Sequence, residues 1–131
     1  VGRLLAESGI VVLNGGYGGA MEASSLGASQ TGGRSEGVVC RAFSERAPNP
    51  YLSKCIWTSD LFERTRVLYE RADGYIALEP RAGTLWEVAG LWALAKAGQG
   101  LDKRLVLLGA TWDRLAASLN RGGIVERNLL K

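Results

Sequence analysis

Short Val-, Ile- and Leu-rich runs alternate along this chain with stretches of helical periodicity, and few architectures accept that alternation. The runs at 10–13, 37–40, 74–78 and 104–108 are apolar and too short for helices. They read as strands buried on both faces, and residues 55–58 are a weaker fifth. Helical patterns occupy 20–31, 60–72, 84–97 and 111–119. Strand, helix and strand in repetition imply right-handed crossovers and a parallel sheet with helices on both faces, an α/β fold. The 131 residues suffice for one domain with a real core, so a single domain over 1–131 is expected. Its start is irregular: Val1 is not a methionine, and residues 2–8 read as a helix with no strand ahead of it. A doubly wound domain begins with a strand, so the first βα unit is expected to be missing, leaving a gap in the sheet.

What the chain lacks narrows the chemistry. It has no histidine, which removes Ser-His-Asp and Cys-His catalysis and the usual zinc sites. Cys40 and Cys55 form neither a metal pair nor a disulfide framework, so a reducing cytoplasm is the default. The net charge of +3 suits an anionic small molecule and is too weak and scattered for nucleic acid. No run is long enough for a membrane span, and no signal-peptide pattern opens the sequence.

Two turns and two side chains carry the candidate chemistry. Asn14-Gly15-Gly16-Tyr17-Gly18-Gly19-Ala20-Met21 follows a strand and opens a helix. Glycines there let backbone approach a phosphate and supply N–H donors at a helix start; a tight βα turn without ligand is the plainer reading. Glu22 complements the helix dipole or faces a ligand. Glu79-Pro80-Arg81-Ala82-Gly83-Thr84 again joins a strand end to a helix start, where open parallel sheets bind ligands. The helix that follows is apolar nearly all round except for Glu87, so it reads as buried, and its carboxylate needs a partner or ligand. In the helix near 60–72, Leu61, Phe62, Thr65, Leu68, Tyr69 and Ala72 form an apolar stripe. Arg64 flanks it, either snorkelling or delivering a guanidinium to a phosphate. Trp57, Trp86, Trp92 and Trp112 read as core packing, and residues 41–54 as a surface connection or a lid.

These motifs resemble the LOG family of cytokinin riboside 5′-monophosphate phosphoribohydrolases. The family's glycine-rich signature is similar to residues 14–22, and its second, P-G-G-x-G-T-x-x-E, to residues 79–87. Arg64 and Glu87 fall at the family's arginine and glutamate with the family's spacing, and residues 102–112 resemble its last strand and helix. The resemblance implies a Rossmann-like homodimer that hydrolyses the N-glycosidic bond of AMP or an N6-modified relative, with no cofactor or metal. By the same analogy Arg64 and Glu87 are catalytic. Asn14, Gly15, Gly16, Gly18, Gly19, Met21, Arg81, Ala82, Gly83 and Thr84 then bind the nucleotide. The chain departs from the pattern at Glu79-Pro80-Arg81, where Pro80 has no N–H and Glu79 brings negative charge toward the expected phosphate. Thr65 stands where the family has lysine, and Asn14 and Glu22 where it has glycine. The alternative is a non-catalytic nucleotide binder or molybdenum-cofactor carrier on the same scaffold. A DNA-processing protein would need a basic stripe that the scattered arginines do not form.

Overall fold

The strands hydrogen-bond in two parallel ladders. A computed structural model describes residues 1–99 and 103–125. Its elements run α1 (Gly2–Glu7), β1 (Val12–Asn14), α2 (Ala20–Ser29), β2 (Ser35–Cys40), β3 (Lys54–Thr58), α3 (Leu61–Arg71), β4 (Gly74–Ala77), α4 (Ala82–Lys96), β5 (Arg104–Leu107) and α5 (Ala110–Arg121). β1, β2 and β3 pair in that order, Asn14 opposite Gly37 and Cys40 opposite Thr58, and β4 pairs with β5. Parallel strands flanked by helices make this the expected α/β, Rossmann-like fold. The chain divides into two compact units, Val1–Arg71 and Ala72–Lys131.

In the first unit β2 is central. Val38 and Val39 are both fully buried, and consecutive strand residues point to opposite faces, so both faces of the strand are covered. α1 lies close on α2: a Cβ at Gly2 would overlap the Ser24 carbonyl, and one at Gly33 would overlap Ala6 Cβ. The connection over 41–54 is anchored at its C-terminal end, while all of residues 41–47 except Phe43 are exposed. Ser53 N–H donates to Ser35 O at 2.7 Å, Ser35 Oγ donates to Tyr51 O at 3.0 Å, and Leu52 rests over Gly37.

In the second unit Ala77, Val88, Trp92, Trp112 and Val125 form the core, with Leu105, Leu107, Leu115 and Leu119 against it. Trp112 Nε1 donates to Leu78 O at 2.6 Å and ties α5 to the end of β4. Ile76 and Val106, on the other face of the ladder, are exposed, so the expectation of strands buried on both faces fails for this pair. α4 also departs from its sequence reading. It buries Val88, Leu91 and Trp92, while Leu85 and Trp86 are exposed and Glu87 is half-buried. A helix apolar all round implies burial all round, yet among the described residues the buried positions of α4 are Val88, Leu91 and Trp92. Trp57 is likewise exposed, on edge strand β3 with the Arg41 guanidinium 5.2 Å from its ring centroid.

Candidate functional site

The glycine-rich turn between β1 and α2 is held from inside by Asn14. The side-chain Nδ2 of Asn14 donates to Met21 O, Ser24 Oγ and Ser25 Oγ at 3.0–3.2 Å, and Oδ1 accepts Gly16 N–H at 2.8 Å. This carboxamide therefore braces the turn, and its polar atoms are committed to it. Gly16 and Gly19 adopt φ of 80° and 70°, a region other residues rarely enter. Gly19 caps α2 without a side-chain hydrogen bond, so the first N–H groups of α2 keep the partial positive charge of a helix start. Tyr17, Gly18 and Gly19 donate no backbone hydrogen bond among the described residues. Met21 packs on Gly15, and Glu22 occupies the first turn of α2 with its carboxylate near Gly18.

Arg64 comes to the underside of this turn. The sequence placed it at the edge of an apolar stripe; α3 instead turns Arg64, Thr65 and Tyr69 inward and leaves Phe62 72% exposed. The rotation has a physical reason. Arg64 Nε donates to Val38 O at 2.9 Å, so a carbonyl of the central strand receives a group that would otherwise be costly to bury. Arg64 Cζ also lies 6.0 Å from the Tyr17 ring centroid, within cation–π range. A Cβ at Gly15 would overlap Arg64 Nη2. Glycine at that position is what lets the guanidinium lie against the turn. Thr65 is buried, and its hydroxyl donates back to Leu61 O at 2.8 Å.

In the second unit, Arg81, Ala82, Gly83 and Thr84 form the start of α4, with Arg81 as an extended N-cap that makes no side-chain cap. Glu87 is on the next turn. Gly83 has ordinary φ, and an added Cβ there would meet nothing within 4 Å. At Gly18 an added Cβ would meet only the Glu22 carboxylate, at 3.6 Å. The fold thus gives no reason for glycine at either position, although glycine in the first turn of a helix costs stability. Glu79 does not crowd this helix start, as its position in the motif implied. Its carboxylate accepts the Thr111 hydroxyl and lies beside Gly109 at the start of α5. The negative charge is engaged there.

The structure therefore assembles Asn14, Gly15, Gly16, Gly18, Gly19, Met21 and Arg64 in one unit. It sets Arg81, Ala82, Gly83, Thr84 and Glu87 along one helix of the other. Sequence reasoning missed Tyr17 and Asn49. Tyr17 O–H donates to Cys40 O at 3.2 Å and accepts Cys40 N–H at 2.8 Å. Asn49 bonds to the backbone of the turn from the 41–54 connection. The available signal was faint: an asparagine between Pro48 and Pro50 in a segment without periodicity.

Comparison with known proteins bears on the family and the fold. The profile of the SLOG cluster4 family, a LOG-like family, matches residues 1–117. A cytokinin riboside 5′-monophosphate phosphoribohydrolase from Mycobacterium marinum is 32% identical over 110 residues, 82% of this chain and 58% of that protein. Among solved structures, the structural-genomics target TM1055 superposes with a TM-score of 0.76 at 34% identity, over 98% of this chain and 72% of its own. The molybdenum cofactor binding protein of the phototrophic bacterium Rippkaea orientalis gives 0.73 at 28% identity, over 95% and 72%. This chain spans 58% of the length of the curated relatives it matches.

Proposed function

This chain belongs to the SLOG cluster4 family, and we propose that it binds a nucleoside 5′-monophosphate and hydrolyses its N-glycosidic bond. The observation that carries the reading is the buried Arg64 guanidinium against Gly15, beneath a turn whose Tyr17, Gly18 and Gly19 N–H groups have no backbone partner among the described residues. Fixed donors and a fixed cation are what an anionic phosphate requires. The phosphoribohydrolase named among the relatives supports the choice of nucleotide.

In this reading the 14–19 turn, Met21 and Arg64 hold the phosphate end of AMP or an N6-modified relative. Arg81 and the N–H groups of Ala82, Gly83 and Thr84 at the start of α4 offer, within their own unit, a cation and helix-start donors suited to an anion. The bond from C1′ to the base breaks with its electron pair leaving on the base, which takes up a proton. Water oxygen bonds to C1′ and loses its proton, giving free base and ribose 5-phosphate. Glu87 stabilises the positive charge that grows on the ribosyl group, or orients the attacking water. Charge appears on the sugar only as the bond breaks, so a carboxylate in a half-buried position favours the transition state over the ground state.

Incubation with AMP and chromatography of released adenine tests this. Glu87→Gln is expected to lower kcat on the order of 10²-fold or more, as loss of a charge stabiliser does. No turnover by the unmodified protein, or turnover that Glu87→Gln leaves unchanged, refutes catalysis.

A specific observation favours a second reading. The Rippkaea orientalis neighbour is a molybdenum cofactor binding protein, and Arg81 puts a cation where the phosphoribohydrolase motif has glycine. A carrier would bind a phosphate-bearing pterin without turning it over. Thermal shift with nucleotides against molybdopterin separates the two by which ligand raises the melting temperature. We further propose a homodimer in which a second copy covers the exposed side of α4.

A further inference from the structure

The 41–54 connection hydrogen-bonds to the glycine-rich turn through Asn49, while Phe43 packs edge-on against Tyr17 with ring centroids 5.8 Å apart. Asn49 is 7% exposed. Its backbone N–H donates to Gly16 O at 2.8 Å, and its side-chain Nδ2 donates to Tyr17 O at 3.2 Å. Two successive carbonyls of the turn therefore point at one asparagine. In a trans peptide the C=O and the following N–H point in opposite directions, and no peptide bond here is cis. Fixing the Gly16 carbonyl on Asn49 thus turns Tyr17 N–H away from Asn49. Fixing the Tyr17 carbonyl does the same for Gly18 N–H, and Gly18 lies at the surface. Asn49 Oδ1 meanwhile accepts Tyr51 N–H at 3.2 Å, a local turn that keeps the asparagine itself in place.

We propose that Asn49 is a positioning residue of the site: it holds two carbonyls of the turn so that Tyr17 and Gly18 N–H groups face the phosphate oxygens of the ligand. Without it the Tyr17–Gly18 peptide, flanked by glycine, is free to rotate and offer its carbonyl to the anion instead. The inference rests on the phosphate-binding reading of this turn and adds the group that sets its polarity. It also gives the 41–54 connection a role other than covering the site.

The test uses the full chain, with inorganic phosphate and AMP as probes and backbone amide NMR as readout. Asn49→Ala removes both side-chain bonds. Asn49→Ser keeps an acceptor for Tyr51 N–H, adds no charge, and is one atom too short to reach the Tyr17 carbonyl. Gly33→Ala destabilises the unit through Ala6, away from the turn, and serves as a control for stability alone.

Both Asn49 variants are expected to weaken binding of phosphate and AMP at least about tenfold, a typical consequence of losing a hydrogen bond that orients charged recognition. The Tyr17 and Gly18 amide signals shift in the unliganded variants, and Gly33→Ala lowers the melting temperature without changing affinity. If Asn49→Ala fails to fold, Asn49→Ser carries the same comparison. Binding by Asn49→Ser within about twofold of the unmodified chain, or an equal loss in Gly33→Ala, overturns the inference and leaves the site reading standing. If neither probe perturbs any amide of the turn in the unmodified protein, the site reading falls and this inference with it.

Discussion

A methyl group added at Gly15 would overlap Arg64 Nη2 and sit 2.7 Å from Met21 Sδ, whereas one added at Gly83 would meet nothing within 4 Å. The two glycines thus answer to different constraints. Gly15→Ala must push the guanidinium off the turn, and overpacking of this kind costs about 1–3 kcal/mol of stability. Phosphate affinity measured by calorimetry should fall with it. Gly83→Ala should do the opposite to the fold, adding roughly 0.5–1 kcal/mol through better helix propensity. If the nucleotide reaches the start of α4, its affinity drops while the melting temperature rises. Unchanged AMP affinity in Gly83→Ala would remove that helix start from the ligand's path. The same scale explains how Arg64 is accommodated: the Val38 carbonyl, 26 residues away in sequence, accepts its Nε–H. Periodicity put the arginine beside the core, and its contacts with Val38 and Tyr17 go with its inward turn.

α3 begins on a cap that local sequence encodes. Asp60 Oδ1 accepts Glu63 N–H at 2.9 Å, and Glu63 Oε2 accepts both the backbone N–H and the hydroxyl of Ser59. This is the reciprocal logic of a capping box. The hydrogen bonds from Ser59 stabilise the charged carboxylate and hold Glu63 below the ordinary value of 4.5. A carboxylate whose folded pKa is depressed contributes stability above its unfolded pKa and loses it as pH falls through the folded one. Urea midpoints at pH 7 and below 4.5 should therefore differ less in Glu63→Gln than in the unmodified chain. An unaltered acid response in the variant would show that this cap does not contribute. α4 illustrates the opposite case, where local sequence misleads. Its uniform apolar character implied burial on every side, yet within the chain only the Val88, Leu91 and Trp92 face is buried.

For the whole molecule, the exposed apolar residues of α4 carry the expectation of self-association. Leu85 and Trp86 are exposed there, with Ala89 and Ala93 on following turns. Large aromatic and aliphatic groups at a surface favour a protein partner, and a second copy supplies one. Trp86→Glu should shift the mass measured by light scattering from dimer toward monomer. A monomeric unmodified chain at micromolar concentration would discard the proposal.

The order of elements and the parallel pairing were legible in the residues, because strand runs and helical periods are properties of neighbours in sequence. So was the placement of two glycine-bearing turns at strand ends, since each turn directly follows its strand. Other features required the folded chain. Nothing local tells that Glu79 turns to Thr111, that Arg64 is received by Val38, or that Asn49 fixes the turn 33 to 32 residues before it. Each depends on which backbone or hydroxyl group lies within hydrogen-bonding reach once distant segments are packed. Hydrogen bonds act over about 3 Å, so that choice is made by the packing of the units and by no pattern along the chain.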